Sequence, residues 1–270
     1  MRSKGIKIGF LFFIGLLLFF LLRPLVSETP EKTKIVVFGL GKADSIYIES
    51  GNETILIDTG LKSTKEELAL KLQALRVEKL DYLILTHPDK DHIGAASYIL
   101  EKFEVGELIQ SNHFKDTKRE ARIQKVIDEK DIKNIRLKED LTVELGTLKV
   151  SIISPKKNEY KGDNDYSLIT LIEDENLNYL FAGDAEEKLL EETLEVDLPK
   201  IDLYKVANHG RKNPNSKKFI EKISPKLSVI TNFKEDSEVE DILKKQGSTI
   251  IYAFEKDIHF FSDGNKIEYK

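Results

Sequence analysis

Thr86-His87-Pro88-Asp89-Lys90-Asp91-His92-Ile93-Gly94 is the stretch whose reading decides the fold. The apolar run YLILT at 82–86 precedes it and predicts a strand, and residues 93–103 predict a helix after it. Two of the five histidines in the chain fall within these nine residues, flanking two aspartates. Capping a helix needs one aspartate and leaves both histidines unexplained. A tight loop of this composition can aim His87 and Asp89 at one cation, and Asp91 and His92 at a second beside it.

Two later segments extend the pattern. Phe181-Ala182-Gly183-Asp184 and Val206-Ala207-Asn208-His209-Gly210 each close a predicted strand with an acid or an imidazole. Alone, Asp184 reads as a helix cap and His209 as a turn residue; beside the first loop, both read as metal ligands. The chain has no cysteine, which excludes a disulfide scaffold, a disulfide-linked partner, a thiolate metal site and a cysteine nucleophile. No Ser–His–Asp arrangement competes, because the histidines are committed to metal. His113 and His259 are left as spare surface or core residues, with an outside role for either in helping a leaving group.

Around this centre the chain divides simply. Residues 1–26 begin with Arg2, Lys4 and Lys7 and continue as 15 apolar residues from Ile8 to Leu22, between a signal-peptide core and the about 20 of a membrane span. They read as a signal peptide or a single membrane anchor, with everything after residue 26 outside the cytoplasm. The expected location is the cell membrane with an extracytoplasmic catalytic domain, or secretion if the segment is cleaved. Residues 27–33 (SETPEKT) are a polar linker, and 34–270 read as one domain without repeats. Strands are expected at 35–38, 44–50 and 54–60, with Gly51-Asn52 turning the last two, then at 135–137, 141–145, 147–153, 167–173, 178–183, 201–206 and 227–231. Helices are expected at 64–76, 93–103, 117–130, 215–223 and 237–246, and three strands close the chain. This alternation is an α/β fold of sheets with helices outside.

HxDxDH, then FAGD, then NHG resembles the metallo-β-lactamase fold, an αββα sandwich whose usual first motif is HxHxDH. Aspartate in place of that motif's second histidine resembles the extracellular hydrolase domain of the ComEC family of DNA-uptake proteins. The resemblance runs across 34–270: FGLGKADSIYIESGNETILIDTG is similar to the family's opening hairpin, and NDYSL falls in the expected order. It implies that His87 and Asp89 hold a first divalent ion, that Asp91, His92 and His209 hold a second, and that Asp184 bridges them. Asp91 and Asp184 are the residues implied in catalysis. Asn164, Asp165 or Ser167 would complete the first site or touch substrate, and Asp58 would orient ligand histidines. The chain departs from the family at Asn208, where a histidine is usual, at Arg211, where a serine is usual, and in lacking an aspartate near Gly39. One or two ions are expected, zinc suiting the imidazoles and manganese the carboxylates.

The formal net charge is −5, but residues 1–27 carry +4, which leaves 38 basic against 47 acidic groups on the rest. A globally basic nucleic-acid binder is excluded, so polyanion binding must be local. Residues 204–226 hold Lys205, Arg211, Lys212, Lys217, Lys218, Lys222 and Lys226 against Glu221 alone, and 115–138 hold nine basic groups against five acidic. With Asn208, Arg211 and Lys212 as substrate contacts, nucleic acid or another phosphodiester polyanion is the expected substrate, cleaved by a metal-activated water. A cell-envelope phosphodiester such as a teichoic acid decoration is the second reading. A membrane-tethered binding protein with a degenerate site is the third.

Overall fold

The computed structural model describes residues 33–233 and 237–270. The expected membrane segment at 1–26, and the linker up to residue 32, lie outside the described residues. Among the described residues no helix is long and apolar enough to cross a membrane.

Strands β1 (Thr33–Val37), β2 (Ile46–Ser50) and β3 (Glu53–Ile57) form an antiparallel meander. Helix α1 (Lys65–Ala74), β4 (Lys79–Leu85), α2 (Lys90–Ile93), α3 (Ala96–Lys102), β5 (Glu104–Ser111), α4 (Lys118–Lys130) and β6 (Lys133–Leu137) follow. The intervening helices return the chain, so β3, β4, β5 and β6 run parallel. The second sheet starts with the antiparallel strands β7 (Leu141–Leu145), β8 (Leu148–Ile153), β9 (Ile169–Asp174) and β10 (Leu177–Phe181). Through α5 (Glu187–Leu194), α6 (Ser216–Ile223) and α7 (Ser237–Lys245) it adds the parallel strands β11 (Leu203–Lys205), β12 (Leu227–Ile230) and β13 (Thr249–Tyr252). Finally β14 (Ile258–Ser262) and β15 (Ile267–Tyr269) return to β1. The sheets are ordered β15-β14-β1-β2-β3-β4-β5-β6 and β13-β12-β11-β10-β9-β8-β7.

The period of two in a strand explains the layers. Ile35 and Val37 of β1 pack between the sheets with Ile48, Ile55, Val150 and Tyr179. Val36, between them in sequence, joins Leu68, Leu72 and Ile99 under the helices of the first sheet. Phe219, Ile220 and Ile223 of α6 pack with Leu180 and Leu190 on the outer face of the second sheet. The expected αββα sandwich is the observed fold.

Three local expectations change. Glu104–Ser111, not expected as a strand, is the neighbour of β4, since Leu108, Ile109 and Gln110 are buried despite two glutamates and a glycine in the run. Glu187–Leu194 is a helix held by burial of Leu189 and Leu190, which its three glutamates hid from the reading. The helix expected at 93–103 breaks into α2 and α3 around Gly94. A Cβ at Gly94 would lie 2.3 Å from the Lys90 carbonyl and 2.5 Å from the Lys62 nitrogen, so this turn presses its backbone against the loop after β3.

The carboxyl ends of β3, β4, β10, β11 and β12 meet at one edge of the sandwich, where open α/β sheets place their ligands. Backbone bonds bind the loops there. Leu168 N–H donates to Thr86 O (2.9 Å), Asn208 N–H to Gly183 O (3.1 Å), Thr59 N–H to His92 O (2.6 Å) and Asp44 N–H to Asp91 O (3.1 Å).

Candidate metal centre

The ligand-type side chains at this edge are delivered by strand ends and by the short helix after β4. His87 follows β4, His92 lies on α2, Asp184 follows β10 and His209 follows β11; all four are buried. Gly183, in the left-handed region at φ 51°, turns the chain so that Asp184 points inward, and a Cβ there would meet Thr86 at 3.2 Å. Asn208 and His209 are also left-handed, at φ 47° and 50°, conformations that cost energy outside glycine and concentrate at functional sites.

Four buried atoms converge without a hydrogen-bond partner: His87 Nε2, His92 Nε2, His209 Nε2 and Asp184 Oδ1. The Asp184 oxygen lies 3.2 Å from His92 Nε2 and 3.4 Å from His209 Nε2, and Asp91 Oδ2 is 3.6 Å from His209 Nε2. Orphaned buried polar atoms are costly, and lone pairs aimed at one point are what a cation requires. His87, His92 and Asp184 form one group able to hold an ion; Asp91, His92 and His209 form another.

The opposite nitrogen of every histidine is tied down. Asp58 receives His92 Nδ1 at 2.7 Å, the Thr86 backbone N–H at 2.8 Å and the Thr86 hydroxyl at 2.7 Å. With its proton spent on Asp58, the Thr86 hydroxyl accepts from His87 Nδ1 (3.1 Å). The second half of the molecule repeats the device. Thr231 donates to Asp44 Oδ1 (2.6 Å) and accepts from His209 Nδ1 (2.9 Å). Each Nδ1 is thereby a donor and each Nε2 is turned toward the site, the orientation that metal binding needs once that nitrogen is deprotonated. Thr86→Val and Thr231→Val are each expected to weaken zinc binding by about 10–100-fold, read by competition with a chelating dye. Unchanged affinity in both would remove the two threonines from this role.

The charges of the site suit a cation. Burial opposes it, yet the carboxylates of Asp184 and Asp58 raise His92 well above the usual imidazole value, and Asp184 and Asp44 carry His209 up to about 10. Burial would raise Asp184, but His92 and His209 hold it well below the ordinary carboxylate range. Asp91 is likewise lowered to about 2 against its burial, chiefly by His209. His87, desolvated and facing His92, drops to about 4. At neutral pH, protons on His92 and His209 therefore stand where an ion would, and its entry releases both. Apparent zinc affinity is expected to climb about a hundredfold per pH unit between pH 6 and 8. A flat profile would show that these imidazoles bind no ion.

Other expected residues are placed differently. Asp89 Oδ2 is 3.9 Å from His87 Nε2, but its Oδ1 accepts Lys115 Nζ at 2.7 Å, and it joins none of the ligand groups. Asp165 accepts the Glu186 and Leu189 N–H groups (3.1 and 3.0 Å), caps α5 and also joins none of the ligand groups. Ser167 Oγ accepts the Asp184 backbone N–H (3.2 Å), positioning that aspartate from behind. Asn164 and Asn208 both donate their amides to Glu186 Oε1. Asn208 is thus buried in a side-chain network, whereas Arg211, two residues beyond His209, is exposed and Lys212 is paired with Glu238 at 2.6 Å.

Two contributors went unread in the sequence. Asp44 is 1% exposed and sits behind His209 and His92. Lys205, read as part of a basic cluster, is also 1% exposed; its Nζ pairs with Asp44 and donates to Gly183 O (3.0 Å). Most of that cluster is spent on other partners. Lys222 donates to the Leu194 and Val196 carbonyls, and Lys226 pairs with Asp202 at 2.7 Å. An IDTG beside a DS pair was the available signal for Asp44, but only the fold shows that they meet.

The family model described as "Metallo-beta-lactamase superfamily" matches residues 38–230. The chain is 26% identical over 228 residues to ComE operon protein 3 of Bacillus subtilis, covering 77% of this chain and 29% of that protein. It is 28% identical over 206 residues to Recombination protein 2 of Haemophilus influenzae, covering 72% and 23%. The chain therefore spans under a third of the length of either relative. Among solved structures, the metallo-beta-lactamase fold protein YhfI from Bacillus subtilis superposes with a TM-score of 0.58 at 12% identity, over 88% of this chain and 99% of that one, a likeness of fold.

Proposed function

The chain belongs to the metallo-beta-lactamase superfamily, and from that premise we propose that it is an exported, metal-dependent phosphodiesterase that cleaves DNA or a related polyanion. The observation that supports this reading is that three imidazole Nε2 atoms and Asp184 Oδ1, all buried and unpartnered, fall into two overlapping groups of ligand-type atoms. The donor set fits one or two divalent ions, zinc by its imidazoles and manganese by its carboxylates. His87, His92 and Asp184 would hold one, and Asp91, His92 and His209 the other. Such ions, when bound, supply Lewis acidity and an activated water.

The protein's own groups do the rest. Asp58 with Thr86, and Asp44 with Thr231, keep the three imidazoles in one tautomer and one orientation. Asp91 and Asp184 place carboxylate charge against His209 and His92, which leaves a proton acceptor beside the reacting centre. Arg211, exposed two residues beyond His209, would meet a phosphoryl oxygen. Support for a nucleic-acid substrate comes from the relatives, one of which is named for recombination.

The test uses the full-length chain stripped of metal, with zinc or manganese restored, and follows single-stranded DNA and a simple phosphodiester. Metal-dependent cleavage of both supports the reading. Cleavage of neither with either ion would overturn it.

A further inference from the structure

Beyond the metal edge the structure holds a second polar cavity, of about 220 Å³. Its wall includes Ser111, His113, Lys138, Lys156, Lys157 and Tyr166, and no carboxylate is among the described residues lining it. On a domain with a marked excess of acid, three lysines around one concavity define an anion site. Lys156 and Lys157 lean on Asp140 (2.6 Å) and Glu192 (3.4 Å) outside it, whereas Lys138 has no ion-pair partner among the described residues. The volume is below that of ordinary ligand pockets and suits a phosphate group better than a whole nucleotide.

Its position joins it to the metal centre. Ser111 ends β5 and Leu137, also in the wall, ends β6; these are the next two strands beyond β4, whose end carries His87. Two interstrand spacings put the cavity about 10 Å along the same edge. A chain of contacts spans the gap. His113 lies flat on Tyr166, with ring centroids 3.8 Å apart, and binds Asp163 Oδ1 at 2.8 Å; Asp163 pairs with Lys115, which holds Asp89 at 2.7 Å. His113 is therefore a fixed wall of the cavity and not a free acid for a leaving group.

We propose that this cavity is a subsite for a phosphate of the polynucleotide strand flanking the one that is cleaved, with Lys138 as its principal cation. The inference rests on the phosphodiesterase reading for its role and on the cavity alone for its ligand. It places the strand along the ends of β4, β5 and β6, away from the paired lysines that follow β11.

The test compares the zinc-loaded full-length protein with Lys138→Glu, and with Lys244→Glu, an exposed lysine on α7 outside the cavity. Expected for Lys138→Glu is a KM for (dT)12 raised about tenfold, with kcat unchanged and a salt dependence shallower by about one phosphate contact. Hydrolysis of bis(p-nitrophenyl) phosphate, which has no flanking phosphate, should be unchanged. An equal effect of Lys244→Glu would reduce the result to net charge and overturn the subsite, as would cleavage of (dT)12 indifferent to Lys138→Glu. Should the parent protein cleave neither substrate, the phosphodiesterase reading fails separately. Binding of fluorescein-labelled (dT)12 by anisotropy then decides: loss in Lys138→Glu alone supports the anion site, and equal binding by all three proteins overturns it.

Discussion

Asp184→Ala is expected to lower phosphodiester turnover about a thousandfold, the several kcal/mol that a metal ion's charge stabilisation provides. Asp184 Oδ1 lies within 3.4 Å of both His92 Nε2 and His209 Nε2, so it belongs to both halves of the centre. Its removal leaves those imidazoles facing each other without an anion between them. The same variant should bind fewer ions per chain, read by elemental analysis after dialysis against trace zinc. Asp184→Asn keeps the volume and the backbone bond to Ser167 but loses the charge, so it should resemble the alanine variant in metal content. Turnover at the parent level in either variant, with metal content intact, would show that Asp184 does not hold the ions.

Lys205→Met is expected to lower stability by about 3–5 kcal/mol, the cost of leaving a buried charge without its partner. For a domain of this size that is a fall of roughly 10 °C in Tm. The partner is Asp44, itself 1% exposed, which Lys205, His209 and His92 together hold well below the ordinary carboxylate range against its burial. Since the cost comes from the stranded carboxylate, adding Asp44→Asn to Lys205→Met should recover part of the lost stability. Zinc affinity should not recover, because Thr231 then loses the anion that fixes its hydroxyl toward His209. Thermal unfolding of the two single variants and the double settles the coupling. Simple additivity of the two losses would show that Lys205 and Asp44 act independently.

The sequence by itself determined the class of fold and marked out the candidate centre. Period-two apolar runs can bury one face only by pairing into sheets, and interspersed helical runs cover the faces left outside; from those patterns an α/β fold of sheets with helices outside was legible, and the resemblance carried by HxDxDH, FAGD and NHG implied the αββα sandwich. His87, His92, Asp184 and His209 were legible because ligand-type residues at strand ends, in a chain with five histidines, have few other uses. Neighbours within one loop, such as Asp91 and His92, could be read together because the chain itself keeps them close.

Only the tertiary structure decided what stands behind those ligands. Asp44 and Thr231 are 187 residues apart, and no local pattern predicts that one orients His209 through the other. Lys205 looks like any basic residue of its cluster until packing of β11 between β10 and β12 buries it. Asp165 and Asn164 have the chemistry of ligands, yet α5, a helix that the sequence did not announce, claims the first as its cap and brings Glu186 to the second. The physical reason is common to all. A side chain's local sequence sets what it can bind, but burial, charge pairing and hydrogen bonding across the sheets decide which partner it has.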